Sequence, residues 1–227
     1  MGTVTIQNHT TLHPIAMIGE EAGICWGADT SSVHKNIKRG KSCLKSGHLR
    51  TAEYPVVYMI LDGYSARVIR EFYTHIAGAP TRLQASTRYI DYEHGFDYII
   101  PHTIENNPKA KEIYIQNMII TASNLQKLDE LGIPREDSAN LLPLGMESKI
   151  VVKMNFRTLI SMSNQRMCNR AYWEFRELFS DIAEALSSYS EEWAELVKEY
   201  FMPKCKLFGY CTEEHGCGMY PKKENKQ

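Results

Sequence analysis

The chain has no excess of charge of either sign: 26 lysines and arginines stand against 27 aspartates and glutamates, a formal net charge of -1 at pH 7. Wholesale binding to nucleic acid or to an anionic membrane surface calls for a basic excess, so any anion site here must be local. No stretch approaches the roughly 20 apolar residues of a membrane span. The opening MGTVTIQNHTTLHPIAMIG lacks the charged region and apolar core of an export signal, and Ile6 stands where a myristoylation signal wants Ser or Thr. The expected location is the cytoplasm, with no nucleic-acid or membrane partner. Cysteine is sparse: Cys25, Cys43, Cys168, Cys205, Cys211 and Cys217 are too few for a disulfide scaffold and suit reduced thiols or a small metal site. Internal repeats, low-complexity linkers and a Gly-rich nucleotide fingerprint are also missing.

What is present is an ordinary globular composition, 227 residues of which 43% are hydrophobic, enough to bury the core of one large domain. YPVVYMIL, residues 54 to 61, reads as a buried strand with a turn at Gly63 after it. Ser65 stands as the cap of a helix over ARVIREFYTH that Gly78 and Pro80 end. Pro108 opens a long helix that stops at Gly132, and a short helix around REDSANLL ends at Pro143. SKIVVKMN, from Ser148, reads as a strand, and FRTLISMSNQRMCNRAYWEFRELF continues from it as one helix. Ser190 caps a last amphipathic helix, SEEWAELVKEYF. This order favours an α+β domain with a mixed or antiparallel sheet flanked by helices over a doubly wound sheet.

Two constellations stand out. HIAGAPTRLQASTRYIDY, from His75 to Tyr92, crowds Arg82, Gln84, Ser86, Thr87 and Arg88 together, a mixture of guanidinium forks and hydroxyls that suits an anion site but also occurs in surface loops. In the helix after Asn155, Asn155 and Arg166 lie eleven positions apart, within about 20° of one azimuth, so both can face one cleft. Ser161 and Arg170 flank that azimuth, and Leu159, Met162 and Trp173 share the inward side. Alternatively, Arg170 pairs with Glu174 one turn on, worth a few tenths of a kcal/mol, and Arg166 is simply solvated.

Taken in order, SGHLRTAEYPVVYMILDGYSARVIREFYTH, ASTRY, LLP and NFRTLISMSNQRMCNRAYWEF resemble the flavin-dependent thymidylate synthases, from about Ala22 to Phe179. Gly47, His48 and Glu53 match the family's first motif; Ser86 and Arg88 match its Ser-x-Arg; Asn155, Arg157, Arg166 and AYWEF match its late helix. The resemblance implies a catalytic domain over residues 1–200 with that family's fold, followed by a cysteine-containing tail over 201–227. It implies methylation of dUMP to dTMP with FAD as cofactor, NADPH and methylenetetrahydrofolate as co-substrates, and a homotetramer with sites built across subunits. Arg166 becomes the catalytic arginine and, with Glu71, Gln84, Ala85, Ser86, Thr87 and Arg88, the dUMP site. His48, Thr51, Thr74, His75, Ile76, Asn155, Phe156, Arg157 and Ser161 become the FAD side. No cysteine nucleophile is needed, so Cys168 has no chemical role.

The chain also departs from the family. Its Arg-His-Arg triplet is Thr74, His75 and Ile76 here; Leu83 and Gln84 replace an Asn-Glu pair; Asn140 and Ser161 replace an arginine and an asparagine. Arg50, Arg82 and Arg170 are candidates to restore the lost charge. Two other outcomes therefore stay open: altered one-carbon chemistry on dUMP, such as hydroxymethylation, and non-catalytic nucleotide binding. In the tail, Cys205, Cys211, His215 and Cys217 form a candidate zinc set. Five residues lie between each successive cysteine pair and no C-x-x-C knuckle is present, so a turn-rich tail with reduced thiols is the alternative.

Overall fold

A computed structural model describes residues 2–92 and 94–223 of the chain. The elements run β1 (Thr3–Ile6), α1 (Pro14–Cys25), α2 (Val33–Lys45), β2 (Val56–Ser65), α3 (Ala66–Phe72), β3 (Thr81–Gln84), α4 (His102–Glu105), α5 (Pro108–Glu130) and α6 (Arg135–Ser138). They continue with β4 (Glu147–Asn155), α7 (Phe156–Arg166), α8 (Trp173–Tyr189), α9 (Glu191–Tyr200) and α10 (Lys204–Phe208). The strands form one antiparallel sheet in the order β1-β2-β4-β3, which makes the fold α+β as expected. Burial alternates along β4, where Ser148, Ile150, Val152 and Met154 point to one covered face, the period-two pattern of a half-buried strand. Gly63, expected to turn the chain after the strand, lies inside β2 with a φ of 73°.

Contacts divide the described residues into two compact units, one of Leu61–Thr74 and Leu83–Ile150 with residues 2–3, the other of Val4–Ile60, His75–Arg82 and 151–223. β2 and β4 pass through both. Residues 201–223 group with the second unit.

In the first unit, the Ser65 hydroxyl accepts from the Val68 N–H (3.1 Å) and starts α3. The helix ends at Phe72, ahead of the expected Gly78, because the Thr74 hydroxyl donates to the Glu71 carbonyl (2.7 Å) and satisfies a terminal acceptor locally. α5 starts at Pro108 behind an Asn107 cap and stops before Gly132, whose φ is 71°. Only Met118 and Leu125 of its 23 residues are buried, while Ile113, Ile119 and Ile120 stay exposed.

In the second unit, α1 and α2 pack backbone to backbone at Gly19 and Gly40. Neither helix, nor β3, was anticipated from composition. Phe156, fully buried, sits edge-on to Trp193 at 5.6 Å and stacks on Phe201 at 6.3 Å. α9 starts on Ser190, whose hydroxyl accepts from the Trp193 N–H (3.3 Å). Its Glu192 carboxylate accepts from the backbone N–H groups of Ile15 (2.6 Å) and Ala16 (3.0 Å). That carboxylate caps α1, whose own N-cap residue, His13, makes no side-chain cap bond.

Candidate active site

α7 carries the central arginine. Its first turn is closed by Asn155, whose Oδ1 accepts from the Thr158 N–H (2.9 Å). Arg166 ends the helix, about 16 Å further along the axis. A shared azimuth does not place the two in one cleft: Asn155 lines a cavity with Glu53, Ala77, Gly78, Arg157, Thr158 and Ser161, whereas Arg166 lines a second cavity with the tail. The single helix expected up to Phe179 is also broken, over 167–172. Arg170 therefore leaves the helical register and donates to the His215 carbonyl (2.5 Å), and Glu174, its expected partner, is buried.

Arg166 is held from two sides. Its Nε donates to His75 Nε2 (2.8 Å), and its guanidinium carbon lies 4.5 Å from the centroid of the Phe175 ring. Phe175 is fully buried and meets the His75 ring edge-on at 5.8 Å. Arg82 donates to the His75 carbonyl (3.2 Å). Burial, then the charges of Arg166 and Arg82, lowers the His75 pKa to about 4, so the imidazole is neutral near pH 7 and acts as an acceptor. The unfolded chain protonates this histidine near its ordinary 6.5. As pH falls from there toward about 4, the unfolded state takes up a proton that the native state refuses, and stability is lost. We expect unfolding midpoints to decline across that window and the decline to be shallower in His75→Gln; equal slopes would contradict the burial. Phe175 is the partner that residue patterns alone did not assign, although it lies within AYWEF, whereas Arg82, a candidate to restore charge, holds the His75 carbonyl.

The cavity at the N-terminal end of α7, about 360 Å³, is at the lower end of ligand-pocket volumes. It gathers Asn155, Arg157 and Ser161 of the expected FAD side. Gly78 makes it possible: φ is 73°, and a Cβ there would lie 2.3 Å from the Thr158 hydroxyl, which already donates to Ala77 O (2.9 Å). The residues fit a phosphorylated dinucleotide in part. A helix N-terminus and the Arg157 cation favour phosphate, but Arg157 is paired with Glu53 (2.5 Å), itself 3.7 Å from Arg50, and the volume holds only part of FAD. The side chain of Phe156 belongs to the core and its N–H donates to Pro55 O (3.0 Å). Ile76 is exposed, and the Thr51 hydroxyl donates to the carbonyl of exposed His48 (2.8 Å). Thr74, on the helix end described above, lies in the first unit.

The expected dUMP clamp is in the first unit. The Gln84 amide donates to the Ser148 hydroxyl (3.1 Å), and the Ala85 N–H pairs with Lys149 O (2.8 Å). The Ser86 hydroxyl accepts from the Arg88 N–H (3.3 Å), which brings the two residues together in a tight turn followed by Tyr89. Arg88 meets Glu136 at 3.1 Å with both side chains largely exposed. Thr87 lines a small cleft with Asp91 and Arg135, and Glu71 sits in the last turn of α3.

The Arg166 cavity, about 340 Å³, is lined by residues 164–171 and by the tail. Among the described residues, the Asn164 Oδ1 at its wall is the buried side-chain atom left without a hydrogen-bond partner, an acceptor that a ligand N–H would satisfy. The expected metal set is not assembled: no group of three or more His, Cys, Asp or Glu among the described residues is arranged to hold an ion. His215 does not line this cavity, whereas Cys168 lines it together with Cys205, Cys211 and Cys217.

The architecture is that of a known α+β fold. It is similar to the crystal structure of thymidylate synthase X from Helicobacter pylori with FAD and dUMP, with a TM-score of 0.66 and 17% identity, covering 88% of this chain and 100% of that one. The family described as Thymidylate synthase complementing protein matches residues 9–189, and this chain belongs to that family. A flavin-dependent thymidylate synthase from Nitratidesulfovibrio vulgaris is 30% identical over 194 residues, 81% of this chain and 76% of the relative. One from Pyrococcus furiosus is 29% identical over 231 residues, 94% of this chain and 90% of the relative.

Proposed function

We propose that this chain is a flavin-dependent thymidylate synthase that methylates dUMP to dTMP, with methylenetetrahydrofolate as carbon donor. Bound FAD, reduced by NADPH, supplies the electrons that take the transferred carbon to the methyl level. The observation that carries the proposal is the family match through residue 189, which includes Arg166 locked between a neutral imidazole and a phenyl face.

The chain's own residues have separable tasks. Arg166 stabilises negative charge on the uracil ring so that C5 can act as the nucleophile; a fixed guanidinium does this without reorganising. Neutral His75 holds the Arg166 Nε without competing for its charge. Ser86 and Arg88 bind the dUMP phosphate by charge-assisted hydrogen bonds, with the phosphate displacing Glu136 from Arg88. Asn155, Arg157 and Ser161 hold part of FAD at the α7 N-terminus. The cavity in one chain is too small for the whole cofactor, and α5 exposes Ile113, Ile119 and Ile120, so homotetramer assembly belongs to this proposal. Among the described residues no helix is long and apolar enough to cross a membrane, and we place the enzyme in the cytoplasm.

Purified full-length protein should be yellow, with a flavin spectrum, and should form dTMP from dUMP when given methylenetetrahydrofolate and NADPH; native mass spectrometry should find the tetramer. A protein that stays colourless after incubation with FAD and makes no dTMP would refute the assignment. A second reading, a different one-carbon product, is favoured by Thr74 and Ile76 standing where the family has arginines. Mass spectrometry of the product separates the two, because 5-hydroxymethyl-dUMP is one oxygen heavier than dTMP.

A further inference from the structure

Four of the six cysteines line one cavity, although they are spread over 50 positions of sequence. Cys168 lies just past the end of α7, Cys205 in α10, and Cys211 and Cys217 in the turns beyond, and all four line the Arg166 cavity. Their neighbourhoods close a ring. Cys168 and Cys211 are near enough to Cys205 to act on it electrostatically. The Cys211 Sγ lies 3.1 Å from where a Cβ on Gly216 would stand, directly beside Cys217. The Cys217 Sγ in turn accepts from the Asn169 amide (3.8 Å), next in sequence to Cys168. The backbone is shaped to allow this. Gly209 (φ 75°) reverses the chain after α10, Gly218 (φ 85°) turns it after Cys217, and the Cys211 N–H is fixed to Pro221 O (2.7 Å).

We propose that Cys168, Cys205, Cys211 and Cys217 form a structural zinc site that pins the tail to the loop following Arg166. Four thiolates are a complete tetrahedral set for zinc, with no open position for chemistry. This replaces His215 of the sequence-based set by Cys168; His215 instead offers its carbonyl to Arg170. The thiols surround the cavity without converging. Sites of this kind complete their geometry as the ion binds. Zinc bound by four thiolates carries a net charge of about -2, and Arg166, Arg170 and Lys204 line the same cavity to offset it. The Asn169 N–H to sulfur contact is the kind of outer bond that orients a ligand. Shared ligation by Cys168 and Cys217 would tie the residues immediately after Arg166 to the tail.

Elemental analysis of the full-length protein, purified under reducing conditions without chelator, should find one zinc per chain. Cys205→Ser and Cys211→Ser should lose it, and Cys25→Ser, at an exposed position away from the cavity, should keep it. If the serine variants fail to fold, the wild type still decides. A mercurial titrated into it should release zinc to a colorimetric chelator in step with four thiols. Co²⁺ titrated into metal-stripped protein should give the strong thiolate charge-transfer and visible bands of a tetrahedral sulfur site. No zinc in the purified protein together with no cobalt bands would overturn the site. A brown protein carrying iron and acid-labile sulfide would overturn the choice of zinc, as would zinc retained by both Cys205→Ser and Cys211→Ser.

Discussion

Arg166→Ala is expected to lower kcat/KM for dTMP formation by about 100- to 1,000-fold, the loss typical when one preorganised donor to a developing negative charge is removed. Two features of the site set that expectation. The guanidinium is immobilised by the 2.8 Å bond to His75 and by the Phe175 ring at 4.5 Å, so its position is fixed before substrate arrives. The imidazole it faces is neutral, its pKa lowered to about 4 chiefly by burial, so the positive charge at this place belongs to the arginine. Lysine cannot reproduce the planar fork or its stacking, so Arg166→Lys should recover little of the lost activity. His75→Gln, which keeps an acceptor but changes shape, should cost far less and act mainly on kcat, as befits a residue that only positions the arginine. Steady-state rates of dTMP formation, with circular dichroism to confirm folding, test both. Arg166→Ala activity within tenfold of wild type would move the catalytic role elsewhere.

The parts of this arrangement that could be read in advance were those governed by local chemistry. Ser65, Pro108 and Ser190 start helices because a side-chain oxygen or a proline ring answers the needs of the first turn whatever surrounds it. β4 was legible because its alternation is strict. The break after Arg166 was not. MCNRAY contains neither glycine nor proline, and the chain leaves the helix there because Arg176 takes up the carbonyls of Asn169 (2.9 Å) and Ala171 (2.6 Å) while Arg170 reaches the tail. The Arg176 bonds are local, seven and five positions back, but the Arg170 partner lies 45 positions away and is set by tertiary structure. The same holds for His75, which matches a flavin-side position by sequence yet is buried against a residue 91 positions away. β3, four largely exposed residues, has no apolar alternation to announce it. In the candidate site, residue identities were accessible from sequence, but the division of Asn155 and Arg166 between two cavities depended on helix length and on where the tail returns.

The largest stability effect is expected at a position with no chemical role. Gly40→Val should destabilise the protein by about 3 kcal/mol or more, at the upper end of what overpacking costs. α1 and α2 cross at two glycines: a Cβ on Gly40 would lie 2.2 Å from the Ile15 carbonyl oxygen, and one on Gly19 only 1.8 Å from the Asn36 carbonyl oxygen. Both obstacles are backbone atoms inside helices, which cannot rotate away as a side-chain tip would, so the helices must separate and give up contacts along their length. Helix propensity predicts the opposite sign, since replacing a mid-helix glycine by alanine ordinarily gains about 1 kcal/mol. Gly40→Ala therefore discriminates between the two effects: a lower unfolding midpoint means the close crossing dominates, and a higher one would mean the helices are free to part. For a chain of this size about 3 kcal/mol corresponds to roughly 6–12 °C in Tm, well within the resolution of a thermal or urea melt. Because Glu192 of α9 caps the start of α1 through Ile15 and Ala16, and Ile15 is also the residue that Gly40 abuts, displacing α1 also strains that cap. Gly40→Val combined with Glu192→Gln should consequently cost less than the sum of the two single changes.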